Sequence, residues 1–254
     1  LIRTSFAPHA PYTVSDEPLK QVLTLSNELD IGVHMHIHET AFEVEQAVEN
    51  TGRRPIDRLE DFGALSPSLQ AVHMTQLTDS EIERMASNGA HVVHCPESNM
   101  KLASGICPVP ALLDAGVNVC LGTDSSSSNN DLDMFGEMRT AALLAKVNSL
   151  DATVLPADTV LAMATINGAR ALGLEAVTGS LEVGKMADIV AVNFDTIEAM
   201  PVYDPISHLV YSCSRQQVTD VWVAGKQLLS ERVLTTIDTE KLKRDCESIT
   251  SKII

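Results

Sequence analysis

The chain has 254 residues, of which 44% are hydrophobic; a length in this range allows one large domain, or one domain plus a smaller one. A formal charge of −16 excludes a nucleic-acid surface, because phosphate binding needs clustered Lys and Arg. Mean hydropathy is +0.07, and no run approaches the roughly 18 apolar residues of a membrane helix.

The five cysteines (Cys95, Cys107, Cys120, Cys213 and Cys246) are odd in number and widely spaced, with no C-x-x-C pair. That usage fits a reducing, cytoplasmic compartment. No secretory signal opens the sequence. It starts at Leu1, inside what reads as a strand, as a protein entered midway would.

Residues 1–7 read as a strand, and Pro8-His9-Ala10-Pro11 as a loop, since residues before proline avoid the helical region. Ser15 is placed to cap a helix with Leu19, Val22, Leu23 and Leu29 on its apolar face. Residues 31–37 form the next strand, and a helix over 41–49 follows. A third strand spans 69–74. Thr78 and Glu81 make a capping box, and a fourth strand spans 90–94. A short helix over 109–115 leads to a fifth strand at 117–121, then to helices over 132–146, 157–164 and 167–172. Strand and helix taking turns predict a parallel sheet with right-handed crossovers. The spacing of roughly 30 residues per unit matches a (β/α)8 barrel, and a doubly wound sheet gives a similar pattern.

After about Thr178 the pattern changes. Strands are expected at 187–192, 208–213 and 218–223, with a turn at Ala224-Gly225-Lys226 into Gln227-Leu228-Leu229. A final helix starts near Thr239. The expected division is residues 1–177 for the strand–helix part and 178–254 for a small β segment with that helix.

Seven of the eight histidines precede residue 95, and they fall at strand ends. His34, His36 and His38 alternate along one strand, which directs them to one face, and Glu39 follows. His9 ends the first strand, His73 the third and His94 the fourth. Asp124 follows the fifth in Leu121-Gly122-Thr123-Asp124. Strand ends that hand over to loops are the catalytic face of a parallel barrel. Imidazole and carboxylate suit zinc or iron, and an open coordination position lets such an ion activate water near neutral pH. A neighbouring carboxylate then moves the protons. His34, His38, His91 and His94 are read as structural. His36, Glu39, His73 and Asp124 are read jointly as the functional set, with the 125–128 serine loop in contact with substrate through Ser128.

The run H-x-H-E-T (His36, His38, Glu39, Thr40), then Ala71-Val72-His73, Val92 to Asn99 (V-V-H-C-P-E-S-N) and Leu121-Gly122-Thr123-Asp124 resembles the amidohydrolase superfamily. Phe6-Ala7-Pro8-His9-Ala10-Pro11-Tyr12 and the Ser-Asn-Asn after Asp124 are similar to its 5-methylthioadenosine/S-adenosylhomocysteine deaminase branch, with triazine hydrolases as near relatives. Gly179 to Asp188 resembles the segment that re-enters the family's small β-sandwich. The resemblance implies one divalent metal, zinc before iron, held by His36 and Asp124. It implies that Glu39 gives a proton to the ring nitrogen, that Asp124 takes one from the attacking water, that His73 orients that water and that His9 contacts substrate. The implied reaction is hydrolysis at a C–N bond of a cyclic amidine, converting an adenosine-type thio-nucleoside to its inosine analogue with release of ammonia. A homo-oligomer is also implied.

One departure stands out. The family pattern begins with a strand ending in H-x-H whose two histidines bind the metal. His34-Met35-His36 lies on the strand leading into Glu39 and cannot stand in for it. The expected fold is therefore a TIM-like barrel lacking its first units, followed by C-terminal strands of a sandwich. Such a polypeptide, made alone, is expected to be poorly soluble and inactive. Two alternatives remain at this stage, a triazine or other purine amino- or chlorohydrolase, and a non-catalytic scaffold.

Overall fold

The computed structural model describes residues 2–252. In chain order the elements are α1 (Asp16–Leu29), β1 (Val33–Ile37), α2 (Ala41–Thr51), α3 (Pro55–Asp61), β2 (Leu69–His73), α4 (Asp79–Asn88), β3 (His91–His94), α5 (Pro96–Leu102), α6 (Val109–Asp114), β4 (Val119–Leu121), α7 (Met134–Ser149), α8 (Ala157–Met163), α9 (Ile166–Ala171), β5 (Ile189–Val192), α10 (Pro205–Tyr211), β6 (Val218–Val223), β7 (Lys226–Ser230), β8 (Val233–Leu234) and α11 (Thr239–Thr250).

The first four strands make one sheet in the order β1-β2-β3-β4, every pair parallel. Every residue of β2 and β4 is buried, because helices cover one face of a parallel sheet and packed side chains fill the other. The core under the helices is built from Val33, Met35 and Ile37 of β1 with Leu69, Ala71, Val92 and Val119, closed by Leu19, Ile56, Leu59, Met85 and Leu112 from the helices. Residues 6–9 run beside β1 without forming a strand. Phe6 makes a single parallel bridge to Val33, and the His34 and His36 N–H groups donate to the Phe6 and His9 oxygens at 2.8 and 3.1 Å. The expected strand over 1–7 thus reduces to one bridge, because Pro8 and Pro11 remove ladder donors around it; Leu1 lies outside the described residues.

β5, β6, β7 and β8 form a second, antiparallel sheet in sequence order. The strand expected at 208–213 is a helix. Asp204 caps it, its side chain accepting from the Ile206 N–H at 3.0 Å, and Pro205 occupies the first turn. Apolar residues in Ile206-Ser207-His208-Leu209-Val210-Tyr211 read equally as strand or helix. Packing decides, since α10 lies against α7 and α8 with Val210 fully buried. Two helices were also absent from the expected order. α3 and α5 each start with proline in the first turn, a start signal that seven residues of weak periodicity concealed.

Candidate functional site

β1, β2 and β4 run parallel in one sheet, with β3 between β2 and β4, and a candidate functional side chain stands at or near the end of each. β1 stops at Ile37 and the chain turns at once: His38 has φ +52°. It therefore leaves the face shared by His34 and His36, contrary to the expected alternation over three histidines. Its ring is fully buried, and Nε2 accepts the Ile56 N–H at 3.3 Å. His73 (φ +76°) and Asp124 (φ +60°) also sit in the left-handed region, which costs non-glycine residues energy and recurs at working sites.

His36 Nε2, His73 and Asp124 offer ligand atoms that all lie within 4.8 Å of one another. His36 Nε2 is 3.8 Å from Asp124 Oδ1. The His36 Nδ1 lies 2.9 Å from the His9 main-chain oxygen; a carbonyl only accepts, so Nδ1 is the donor and Nε2 is the nitrogen left facing the site. His73 Nδ1 is 2.8 Å from Asn99 Oδ1, and the two imidazoles stack at 5.2 Å between centroids. Burial lowers the His73 pKa, with Glu39 and Asn99 opposing that shift. It is thus neutral and able to donate a lone pair. A cluster of two imidazoles and one carboxylate fits a divalent ion such as zinc.

Asp124 is held from behind. Its Oδ2 accepts from the Ser98 hydroxyl at 2.7 Å and the Ser128 hydroxyl at 2.6 Å. Burial alone would raise its pKa, but these hydroxyls and the nearby His73 and His36 bring it below the usual carboxylate value. Ser128, expected to touch substrate, is buried, and its hydroxyl bonds Asp124 and the Ser125 oxygen.

Glu39 faces the same space, its Oε2 3.8 Å from His73 Nε2. The buried Glu43, third residue of α2, accepts the His38 and Glu39 N–H groups at 3.1 and 2.7 Å. Thr40, the N-cap, accepts the Glu43 N–H at 3.1 Å. His9 is exposed at the rim, 5.3 Å from the His36 ring and 5.9 Å from Tyr12. The histidines read as structural are not members of the donor cluster. His34 is half-buried and close enough to His36, His73 and Asp124 to feel their charges, His91 Nδ1 lies 3.1 Å from Asn118 Nδ2, and burial pushes His94 down to about 3.

All six residues singled out in the sequence (His9, His36, Glu39, His73, Asp124 and Ser128) therefore converge. Those that sequence reading missed are the supports: Ser98, Asn99, Glu43, Thr75 and Ser104. Ser98 and Asn99 lay within a motif already singled out, and α5 is what turns them inward.

Among known proteins, the amidohydrolase family model matches residues 1–228, and the chain belongs to the amidohydrolase family. Over 242 residues it is 50% identical to a 5-methylthioadenosine/S-adenosylhomocysteine deaminase of Teredinibacter turnerae, a match covering 95% of this chain and 55% of that protein. The structure superposes with TM-score 0.96 and 52% identity on a zinc-bound adenosine deaminase from Xanthomonas campestris, covering 98% of this chain and 57% of that one. A zinc complex of an atrazine chlorohydrolase from Arthrobacter aurescens aligns with TM-score 0.87 at 26% identity, covering 92% and 52% of the two chains. The chain thus spans little more than half the length of the relatives it matches.

Proposed function

We propose that these residues form part of the active site of a metal-dependent aminohydrolase that deaminates adenosine-type thio-nucleosides, 5-methylthioadenosine and S-adenosylhomocysteine being the substrates to test. The single observation carrying this reading is the donor cluster of His36, His73 and Asp124 with the Glu39 carboxyl beside it. The parallel sheet is then part of a (β/α)8 barrel and the second sheet part of a β-sandwich, with residues 1–177 and 178–254 as the two regions.

His36 Nε2 and Asp124 Oδ1 hold the metal, zinc in preference to iron. The bound ion acts as a Lewis acid that makes water acidic enough to react near neutral pH. His73, neutral and fixed through Asn99, orients the attacking water with Nε2. Asp124 takes a proton from that water, and Glu39 delivers one to the ring nitrogen next to the carbon under attack. The water oxygen adds to the carbon; the proton on Asp124 then passes to the exocyclic amine, the C–N bond breaks and ammonia leaves, while the remaining hydroxyl proton returns to Glu39 as the carbonyl forms. His9, at the rim, contacts the substrate. The triazine-hydrolase reading has only the 26% identity of its structural neighbour behind it, against 50% for the deaminase.

The test is Glu39→Gln in the native polypeptide that contains residues 1–254. Conversion of adenine to hypoxanthine is followed by its ultraviolet change, and metal content by elemental analysis, which also separates zinc from iron. Turnover should fall by about 100-fold or more, the usual worth of a general acid, with metal content retained. Undiminished turnover would refute the proton-transfer role.

A further inference from the structure

Glu39 is gripped at three points, and only one of them touches its carboxyl. Its N–H is bound by Glu43 at 2.7 Å, and its main-chain oxygen accepts the Thr75 hydroxyl at 2.6 Å. The carboxyl is met by Ser104, whose hydroxyl lies 3.0 Å from Oε1. Ser104 is 65 residues away in sequence, just past the end of α5, and it is buried at 6% exposure.

The corner that carries Ser104 is tightly fixed. Its N–H donates to the Asn99 oxygen at 2.9 Å, and its own oxygen lies 3.4 Å from both Thr75 Oγ1 and Gln76 Nε2. The next residue, Gly105, has φ +136°, and a Cβ there would come within 2.6 Å of Gln76 Nε2 and 2.8 Å of Thr75 Oγ1. Only glycine lets the corner press against Thr75, the residue that also holds the Glu39 main chain. The same α5 supplies Ser98 to Asp124 and Asn99 to His73. One short helix with its trailing corner therefore braces three separate site residues.

We infer that Ser104 is a positioning residue that decides which oxygen of Glu39 works. Its hydroxyl occupies Oε1, so Oε2 is the oxygen turned toward His73 and the reaction space. A proton carried by Glu39 then sits on Oε2, aimed at the substrate. Without the hydroxyl, the carboxyl is free to rotate and to carry the proton on the wrong side. This inference rests on the deaminase reading and adds to it a residue that never touches substrate.

The test compares Ser104→Ala and Ser104→Thr with the parent in the native polypeptide, alongside Glu39→Gln. Misplacing a reacting group by about an ångström costs up to about 100-fold in rate. Ser104→Ala should therefore lower kcat by about 10- to 100-fold with KM unchanged, and Ser104→Thr, which keeps the hydroxyl, should recover most of the loss. A crystal structure of Ser104→Ala should show the Glu39 carboxyl rotated or in more than one conformer. Full kcat in Ser104→Ala, or a carboxyl still fixed with Oε2 toward His73, overturns the inference. If Glu39→Gln abolishes turnover while Ser104→Ala leaves it intact, the deaminase reading stands and the Ser104 role falls. If Glu39→Gln retains turnover, the underlying reading itself fails.

Discussion

His36 donates a hydrogen bond from Nδ1 to the main-chain oxygen of His9, 27 residues earlier, and this leaves Nε2 facing Asp124. The rim segment 6–9 thereby does two things. It pairs loosely with the edge of β1, and it fixes which His36 nitrogen faces Asp124. A histidine at the end of a strand presents a defined nitrogen to the site when something else holds its other nitrogen. For His73 that partner is Asn99 on α5.

The hydroxyls behind Asp124 predict a graded effect on metal binding. Ser128→Ala removes one of two donors to Oδ2, and outer contacts of this kind are worth about 10- to 100-fold in affinity. Ser128→Ala should weaken zinc binding by a factor within that range, measured by competition with a chelating dye. Unchanged affinity would return Ser128 to the substrate-contact role that its loop position had indicated.

Glu137 predicts a pH dependence of stability. This α7 residue is fully buried, with the Glu97 N–H and the Asn129 amide donating to its two oxygens. Burial, with the Glu97 charge adding to it, raises its pKa from 4.5 to about 8. The folded chain keeps that proton over a window in which the unfolded chain has released it. The folded state then binds more protons, so stability falls as pH rises from 4.5 toward about 8. Glu137→Gln cannot titrate. Denaturant midpoints at several pH values should slope downward more steeply in the parent than in the variant, and equal slopes would rule out a buried proton here.

Gly105 predicts a stability loss with a local cause. Gly105→Ala puts a Cβ at φ +136° against Thr75 and Gln76. Strain of this kind costs about 1–3 kcal/mol, which calorimetry should show as a lower melting temperature. Because Ser104 moves with the corner, turnover should fall as well.

Residues 1–254 expressed as a separate polypeptide should be prone to association. β1 and β4 are the outer strands of their sheet, and Leu150, Leu181, Val183 and Ile197 are each at least 79% exposed. Open edges and apolar surface favour association. Light scattering tests this directly. A soluble monomer would contradict it.

Through the first 171 residues the order of strands and helices, apart from α3, α5 and the strand expected over 1–7, could be read from the sequence because it is written in local periodicity and in proline, glycine and capping signals. So could the site residues His36, Glu39, His73 and Asp124, since each stands where an apolar strand gives way to its loop. Local pattern misled at Ile206 to Tyr211, where strand and helix periods coincide over a short run and burial of Val210 against α7 and α8 settled the matter. It misled again at His38, where one left-handed residue turned an alternating histidine out of the shared face. The roles of the supports could not be read, even for Ser98 and Asn99 within a motif already singled out. Ser104 reaches Glu39 across 65 residues and Ser98 reaches Asp124 across 26, and a serine's hydroxyl carries no periodic signature. The sequence determined which groups could do chemistry, because a side chain's chemistry belongs to the residue alone. Only the tertiary structure decided which nitrogen, which oxygen and which protonation state faces the reaction space, because those depend on hydrogen-bond partners that folding brings from far along the chain.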